Sequence, residues 1–305
     1  MLAWVRANKI IVLAALAACL AGAVLMRFAD LHLFLDPAMR PLRESDISSS
    51  SGYAFTDPLI TVSTNGANAP EYAQLQKELQ QYIDSQKSSV LASASVRFSD
   101  IERSESFSIN PDVEYDPASL SKVPLAMAYY ALAEQGDPSV LSDRIYYSGD
   151  PDLDSGVDIE PSVELSPGQS YSAQDMIDHM LRYSDNNAEQ LLADHLSQIG
   201  QLGALQSLFD DLGIKINPDD PDYMTVGSYA LFLRVLFNAT YLDRVDSEAM
   251  LKILSQGDFT AGLSAGVPSG ISIAQKFGDA RVPDSSGQIV GDELHNCGIV
   301  YYPNH

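Results

Sequence analysis

Hydrophobic positions along the chain follow two periodicities, and their order suggests an architecture. "PEYAQLQKELQQYIDSQ" carries Tyr72, Leu75, Leu79, Tyr82 and Ile83 at helical spacing, which predicts a helix opening the folded domain. "VLASASVRFSDI" and "SFSIN" predict two strands joined by a short polar turn. From residue 123 to 133 no charged side chain occurs. A solvent-facing helix would place polar residues every third or fourth position, so this segment is expected to be buried on all sides. Two helical patterns follow in "SAQDMIDHMLRYSDNNAEQLLADHLSQI", broken at "SDNN". Met176, Ile177, Met180 and Leu181 make the apolar face of the first, and Leu191, Leu192, Leu196 and Ile199 that of the second. "SYALFLRVLFNATYL" and "SEAMLKILSQ" are two more helices, and "GISIAQKFG" and "HNCGIVYYP" read as strands. Strands at both ends with helices between imply an α+β fold: one antiparallel sheet formed from both chain ends, with a helical subdomain between.

The pattern also divides the chain. Residues 70–305 form the folded domain. Residues 28–69, with a serine run at 48–51 and the turn-rich "STNGANAP", read as a stalk or linker. In residues 1–27, Arg6 and Lys9 precede an uncharged run of 17 residues, 10–26, which at about 1.5 Å per residue is just long enough to cross a bilayer. A cleaved signal peptide and a lipidated Cys19 in "LAAC" are the alternatives. The run continues past Cys19, which favours an uncleaved transmembrane helix. Basic residues on the two sides balance and leave orientation open, so an extracytoplasmic, membrane-anchored domain follows only from the signal-like layout.

Charge removes one class of partner. With 41 acidic against 18 basic residues and a net charge of −23, the chain would repel phosphate backbones, so no nucleic acid is expected. Its two cysteines, Cys19 and Cys297, are badly placed to pair, and Cys297 reads as a small buried hydrophobe. In "GDPDLDSGVDIE", Asp150, Asp152 and Asp154 alternate as calcium ligands do. However, Gly156 comes one place late and Pro161 stands where the bidentate glutamate belongs, so the stretch reads as a solvated loop. The histidines show no metal-ligand spacing, and neither metal nor cofactor is implied. "GLSAG" at 262–266, with Asp284 and His295 after it, fits a nucleophile elbow. That elbow must join a strand to a helix, and here a helical pattern precedes and a strand follows.

Candidate chemistry sits at the mouth of the buried segment, in "DPASLSK". Asp116 can cap the first turn and Pro117 suits the first helical position. Ser119 and Lys122, three residues apart, then share a helical face, with Ser121 pointing elsewhere. A partly desolvated lysine loses its preference for the proton and can serve as base toward a neighbouring hydroxyl, while free amides of the first turn can hold an oxyanion.

Three motifs in order, "SLSK" at 119–122, "SDN" at 184–186 and "KFG" at 276–278, resemble the S-x-x-K, S-D-N and K-T-G of the class A β-lactamases and penicillin-binding serine hydrolases. The resemblance runs from about Pro70 to the end and implies a β-lactamase-like fold. It implies Ser119 as the nucleophile forming an acyl-enzyme and Lys122 as its activating base. Ser184 would relay a proton to the leaving nitrogen, Lys276 would hold a substrate carboxylate, and Asn186 would bind the substrate's side-chain amide. Gly278 would also line the substrate site, and the amides of Ser119 and Asp279 would form the oxyanion hole. Asp185 would tie down its own loop. The implied protein is a membrane-anchored serine acyl-hydrolase acting on β-lactams or D-Ala-D-Ala-like cell-wall peptides.

Two departures qualify that picture. No E-x-x-L-N-like segment supplies the deacylating glutamate of class A enzymes, and Glu189, on the helix after "SDN", reads as a surface residue. A D,D-peptidase or a non-turnover penicillin-binding sensor is therefore the alternative. Phe277 stands where the family has a hydroxyl, and strand alternation would turn it to the face opposite Lys276, where it packs. The family's fold also continues with a central strand and a covering helix after "GIVYYP". Because the sequence stops at His305, a truncated reading frame is expected.

Overall fold

The computed structural model describes residues 52–58, 72–87, 91–101, 103, 105–216, 223–284 and 286–302. The expected anchor and much of the expected stalk lie outside the described residues. Among the described residues no helix is long and apolar enough to cross a membrane.

Helix α1 (Ala73–Gln86) opens the domain, as its apolar spacing required. It precedes a hairpin of β1 (Val96–Asp100) and β2 (Glu105–Ile109), and then the two-residue strand β3 (Glu114–Tyr115). A 3₁₀ turn (Ala118–Ser121) leads into α2 (Lys122–Glu134). Every residue of α2 from Lys122 to Ala131 is buried, so the uncharged segment is a central helix with no solvent face.

Next come β4 (Arg144–Tyr147) and β5 (Gln169–Ser172), an antiparallel pair that the sequence pattern did not suggest. Helix α3 (Ala173–Arg182) starts from a capping box: Ser172 Oγ accepts from the Asp175 amide and Asp175 accepts from the Ser172 amide. Helix α4 (Asn186–Gln198) is capped by Asp185. Helix α5 (Ala204–Asp211) was not anticipated either. The remaining elements are β6 (Met224–Thr225), α6 (Val226–Phe237), α7 (Arg244–Leu254), the short α8 (Leu263–Gly266), β7 (Ser272–Pro283) and β8 (Ile289–Tyr301). Ser264 of the G-x-S-x-G match lies on α8, ahead of a strand, and accepts a hydrogen bond from Gln275. That is not an elbow geometry.

The fold is α+β, but the single sheet expected from both chain ends is divided. Strands β1 and β2 form one two-stranded sheet, with Val96 opposite Ile109. Strands β7 and β8 form another, with Ser272 opposite Tyr301. A cavity of about 1210 Å³ stands between them, lined by Val96 and Phe98 on one side and Leu294 and Ile299 on the other. Across such a gap no ladder hydrogen bond can form.

Part of the segment expected as stalk is packed against the domain. The amides of Ala54 and Phe55 donate to Glu248, the Asp57 amide donates to Phe237 O, and Tyr301 Oη donates to Phe55 O. The Phe55 and Tyr301 rings meet edge to face, and the Arg244 guanidinium lies over Tyr53.

Candidate active site

Four segments distant in sequence converge at the N-terminus of α2. Asp116 Oδ1 accepts from the Ala118 amide at 2.8 Å, closing a turn before the helix and not the expected cap: the 3₁₀ turn is entered from Pro117 and α2 from Ser121, neither with a side-chain cap. Ala118 sits in the left-handed region, φ +47°, and carries the chain into the 3₁₀ turn that presents Ser119. Such conformations cost about 1–3 kcal/mol and persist only where the surroundings enforce them. Ser184 adopts a similar conformation, φ +64°, in the bend between α3 and α4.

The centre of the site is the Lys122 amine, fully buried. It lies 2.8 Å from Ser119 Oγ, 2.8 Å from Ser184 O, 3.3 Å from Ser184 Oγ and 2.6 Å from Asn186 Oδ1. Lys276, on β7, donates to the same Ser184 hydroxyl at 2.8 Å and to Phe277 O at 3.0 Å. Ser184 therefore bridges two buried amines. Burial lowers the proton affinity of Lys122, against the pull of the Glu189 carboxylate. Burial first, and then the nearby Lys122 charge, hold Lys276 well below the usual lysine range.

Gly278 fits its place sterically. A Cβ there would lie 2.7 Å from Pro117 O and 3.3 Å from both Ala118 Cβ and Leu120 Cγ, so β7 can run this close to the serine-bearing turn only with glycine. Asp279 follows on the same strand, paired with Leu294.

The second motif is held from below. Asp185 accepts from the Ala188 and Leu165 amides, so it does tie down its own loop. Burial pushes its carboxyl up to about 6, and the neighbouring Asp154 adds to the effect. Asp154 corrects the reading of its stretch as solvated: it is buried at 1% exposure and accepts from the Asn186 amide and from Asn187 Nδ2. Asp152 accepts from the same Asn187 amide group. The acidic alternation serves to anchor the "SDN" turn.

Phe277 packs, as its position on the strand suggested, stacked on Phe259 at 4.2 Å between centroids. The expected separation from Lys276 does not hold for the amine, which curls back to 4.3 Å from the Phe277 ring. A four-carbon stem can reverse the face that strand alternation assigns.

One residue is misplaced by sequence reasoning. Glu189, a surface residue by its pattern, puts Oε2 3.5 Å from Lys122 Nζ and Oε1 2.7 Å from Ser121 Oγ. Its spacing held the clue: it lies three residues after Asn186 on α4, hence on the face already assigned to the cleft. Ser121, expected to point elsewhere, is tied into the site through Glu189: its hydroxyl lies between Glu189 and Ala118 O, 2.7 Å from each.

Comparison with known proteins bears on the family and the fold. The family model described as "Beta-lactamase enzyme family" matches residues 74–305. The chain belongs to the beta-lactamase enzyme family. It is accordingly a serine hydrolase. No curated protein sequence matches it significantly. Among solved structures, PBP-A is similar at 22% identity and TM-score 0.57, with 76% of this chain and 83% of that chain covered. The class A β-lactamase of the last common ancestor of Gram-negative bacteria is similar at 24% identity and TM-score 0.60, covering 76% and 87%. A point mutant of PBP-A, solved as an acyl-enzyme complex with penicillin G, shares 22% identity at TM-score 0.54, covering 75% and 88%. At these identities the structural likeness speaks to the fold, and it places this family member among proteins built on the same scaffold.

Proposed function

We propose that this family member is a membrane-anchored, extracytoplasmic acyl-hydrolase that forms an acyl-enzyme on Ser119 with β-lactams or D-Ala-D-Ala-like peptides. The observation that carries this reading is the 2.8 Å contact between Ser119 Oγ and the buried, proton-averse Lys122 amine. In its neutral form that amine accepts the hydroxyl proton as Oγ attacks the substrate carbonyl. The amides of Ser119 and Asp279 hold the developing oxyanion, where fixed dipoles act with little reorganisation. Ser184, in contact with both amines, passes the proton toward the leaving nitrogen. Lys276 offers its charge to a substrate carboxylate, and Asn186 and Gly278 line the substrate's path. The PBP-A complex with penicillin G makes penicillin a sensible first probe.

The anchor rests on the uncharged run at residues 10–26, and recovery of the protein in the membrane fraction, released by detergent and not by high salt, would test it. The chemistry is tested by intact-protein mass spectrometry over hours after adding labelled penicillin, with Ser119→Ala as control. The expected result is a Ser119-dependent adduct that forms and clears. A persistent adduct would mark a D,D-peptidase or a sensor, and the absence of any adduct would overturn the acyl-serine reading.

A further inference from the structure

Hydrolysis of an acyl-serine needs a base for the attacking water, positioned at the mouth of the site and open to solvent. Three carboxyl groups act on the charge of Lys122, the amine that touches Ser119. Asp185 and Asp154 are buried and committed to the Ala188, Leu165 and Asn186 amides, so neither meets water. Glu189 differs on each count. Its side chain is 28% exposed, and among the described residues it is the carboxylate paired with Lys122. Ser121 fixes one of its oxygens, and the other faces the Lys122 amine that touches Ser119 Oγ. A carboxylate oriented by a hydroxyl and aimed at the nucleophile's own base is the arrangement expected of a general base, not of a solvated helix face.

We propose that Glu189 is the general base of deacylation in this chain, supplied by α4 from beside the second motif. This rests on the acyl-serine reading given above. The water oxygen bonds to the acyl carbonyl carbon as its proton passes to the Glu189 carboxylate. The C–Oγ bond then breaks as Glu189 returns its proton to the neutral Lys122 amine across their contact and Lys122 passes one on to Ser119 Oγ, leaving the carboxylate ionised and the amine neutral as they began. The net result is water divided between the acyl group, released as the acid, and the regenerated serine. Ser121 is the positioning residue for this carboxylate.

The test follows benzylpenicillin adducts on the full-length protein in detergent by mass spectrometry, comparing wild type with Glu189→Gln and measuring formation and clearance separately. Clearance is expected to slow by about 10²–10⁴-fold, the range for loss of a general base. Formation should stay within about tenfold, the effect of one pKa unit on Lys122. Its acid limb should move to lower pH, because the removed anion favours the charged lysine. Equal clearance in both proteins overturns the proposal, as does a parallel loss of formation and clearance, or a wild-type adduct as lasting as the variant's. Absence of any wild-type adduct overturns the underlying function instead, and so is distinguishable. Should Glu189→Gln fail to fold, Ser121→Ala decides: slower clearance supports the role and unchanged clearance overturns it.

Discussion

The helical and strand sides of the site each contribute a buried lysine, and the two are provisioned differently. Lys122 is surrounded by oxygens from Ser119, Ser184 and Asn186 and has Glu189 as counter-charge. Lys276 has one hydroxyl, one carbonyl and the face of Phe277. Among the described residues no carboxylate is paired with Lys276, and a buried ammonium so placed is costly, which fits the substrate anion proposed for it above. The helix-side lysine already has its anion, which suits the proton-transfer role proposed for it. Position relative to a carboxylate, and not depth of burial, separates the two lysines.

Three substitutions would break or sharpen this contrast. The largest effect is expected from Lys122→Met, which removes the proposed base: the rate of adduct formation with penicillin should fall by about 10²–10⁴-fold. If it falls no further than in Lys276→Met, the proposed division of roles is wrong. Next, Gly278→Ala forces a Cβ to 2.7 Å from Pro117 O, so β7 and the Ser119 turn must separate. A loss of about 1–3 kcal/mol in stability is expected, read by denaturant midpoint together with slower acylation. If only stability changes, the strand's proximity is not needed for chemistry.

The smallest effect concerns the layer below. Asp185 binds its proton more tightly in the folded chain, about 6 against an ordinary value of 3.8, chiefly through burial. Between those values the unfolded chain has released this proton while the folded one keeps it, so this group's contribution to stability falls as pH rises from about 4 to 6 and does not return above that. Asp154→Asn removes a neighbouring charge and supplies an amide donor, so the pH 4 to pH 7 drop in melting temperature should narrow. An unchanged drop would show that Asp154 does not govern the Asp185 proton.

Much of the catalytic layer was legible in the sequence because its signals are local. The uncharged run of α2 and the helices flanking "SDNN" depend on spacing within one element. Glu189, Asp154 and residues 53–57 were misread for the opposite reason. Each owes its place to partners far along the chain: Glu189 to Ser121 and Lys122, Asp154 to Asn186 and Asn187, Phe55 to Glu248 and Tyr301. Periodicity carries no information on such pairings. The short pair β4 and β5 and helix α5 were missed because each is too brief to establish a period.

By itself, then, the sequence determined the elements that bear the chemistry and the residue types at their ends, since hydrophobic period and local capping act over one or two turns. Tertiary structure alone decided that one serine would bridge two lysines, that the sheet strands would stand as separate pairs around a cavity, and that a glutamate on α4 would face Lys122. Those outcomes depend on which surfaces meet when α2 is buried, and desolvation, which sets the proton affinity of both lysines, exists only after they have met.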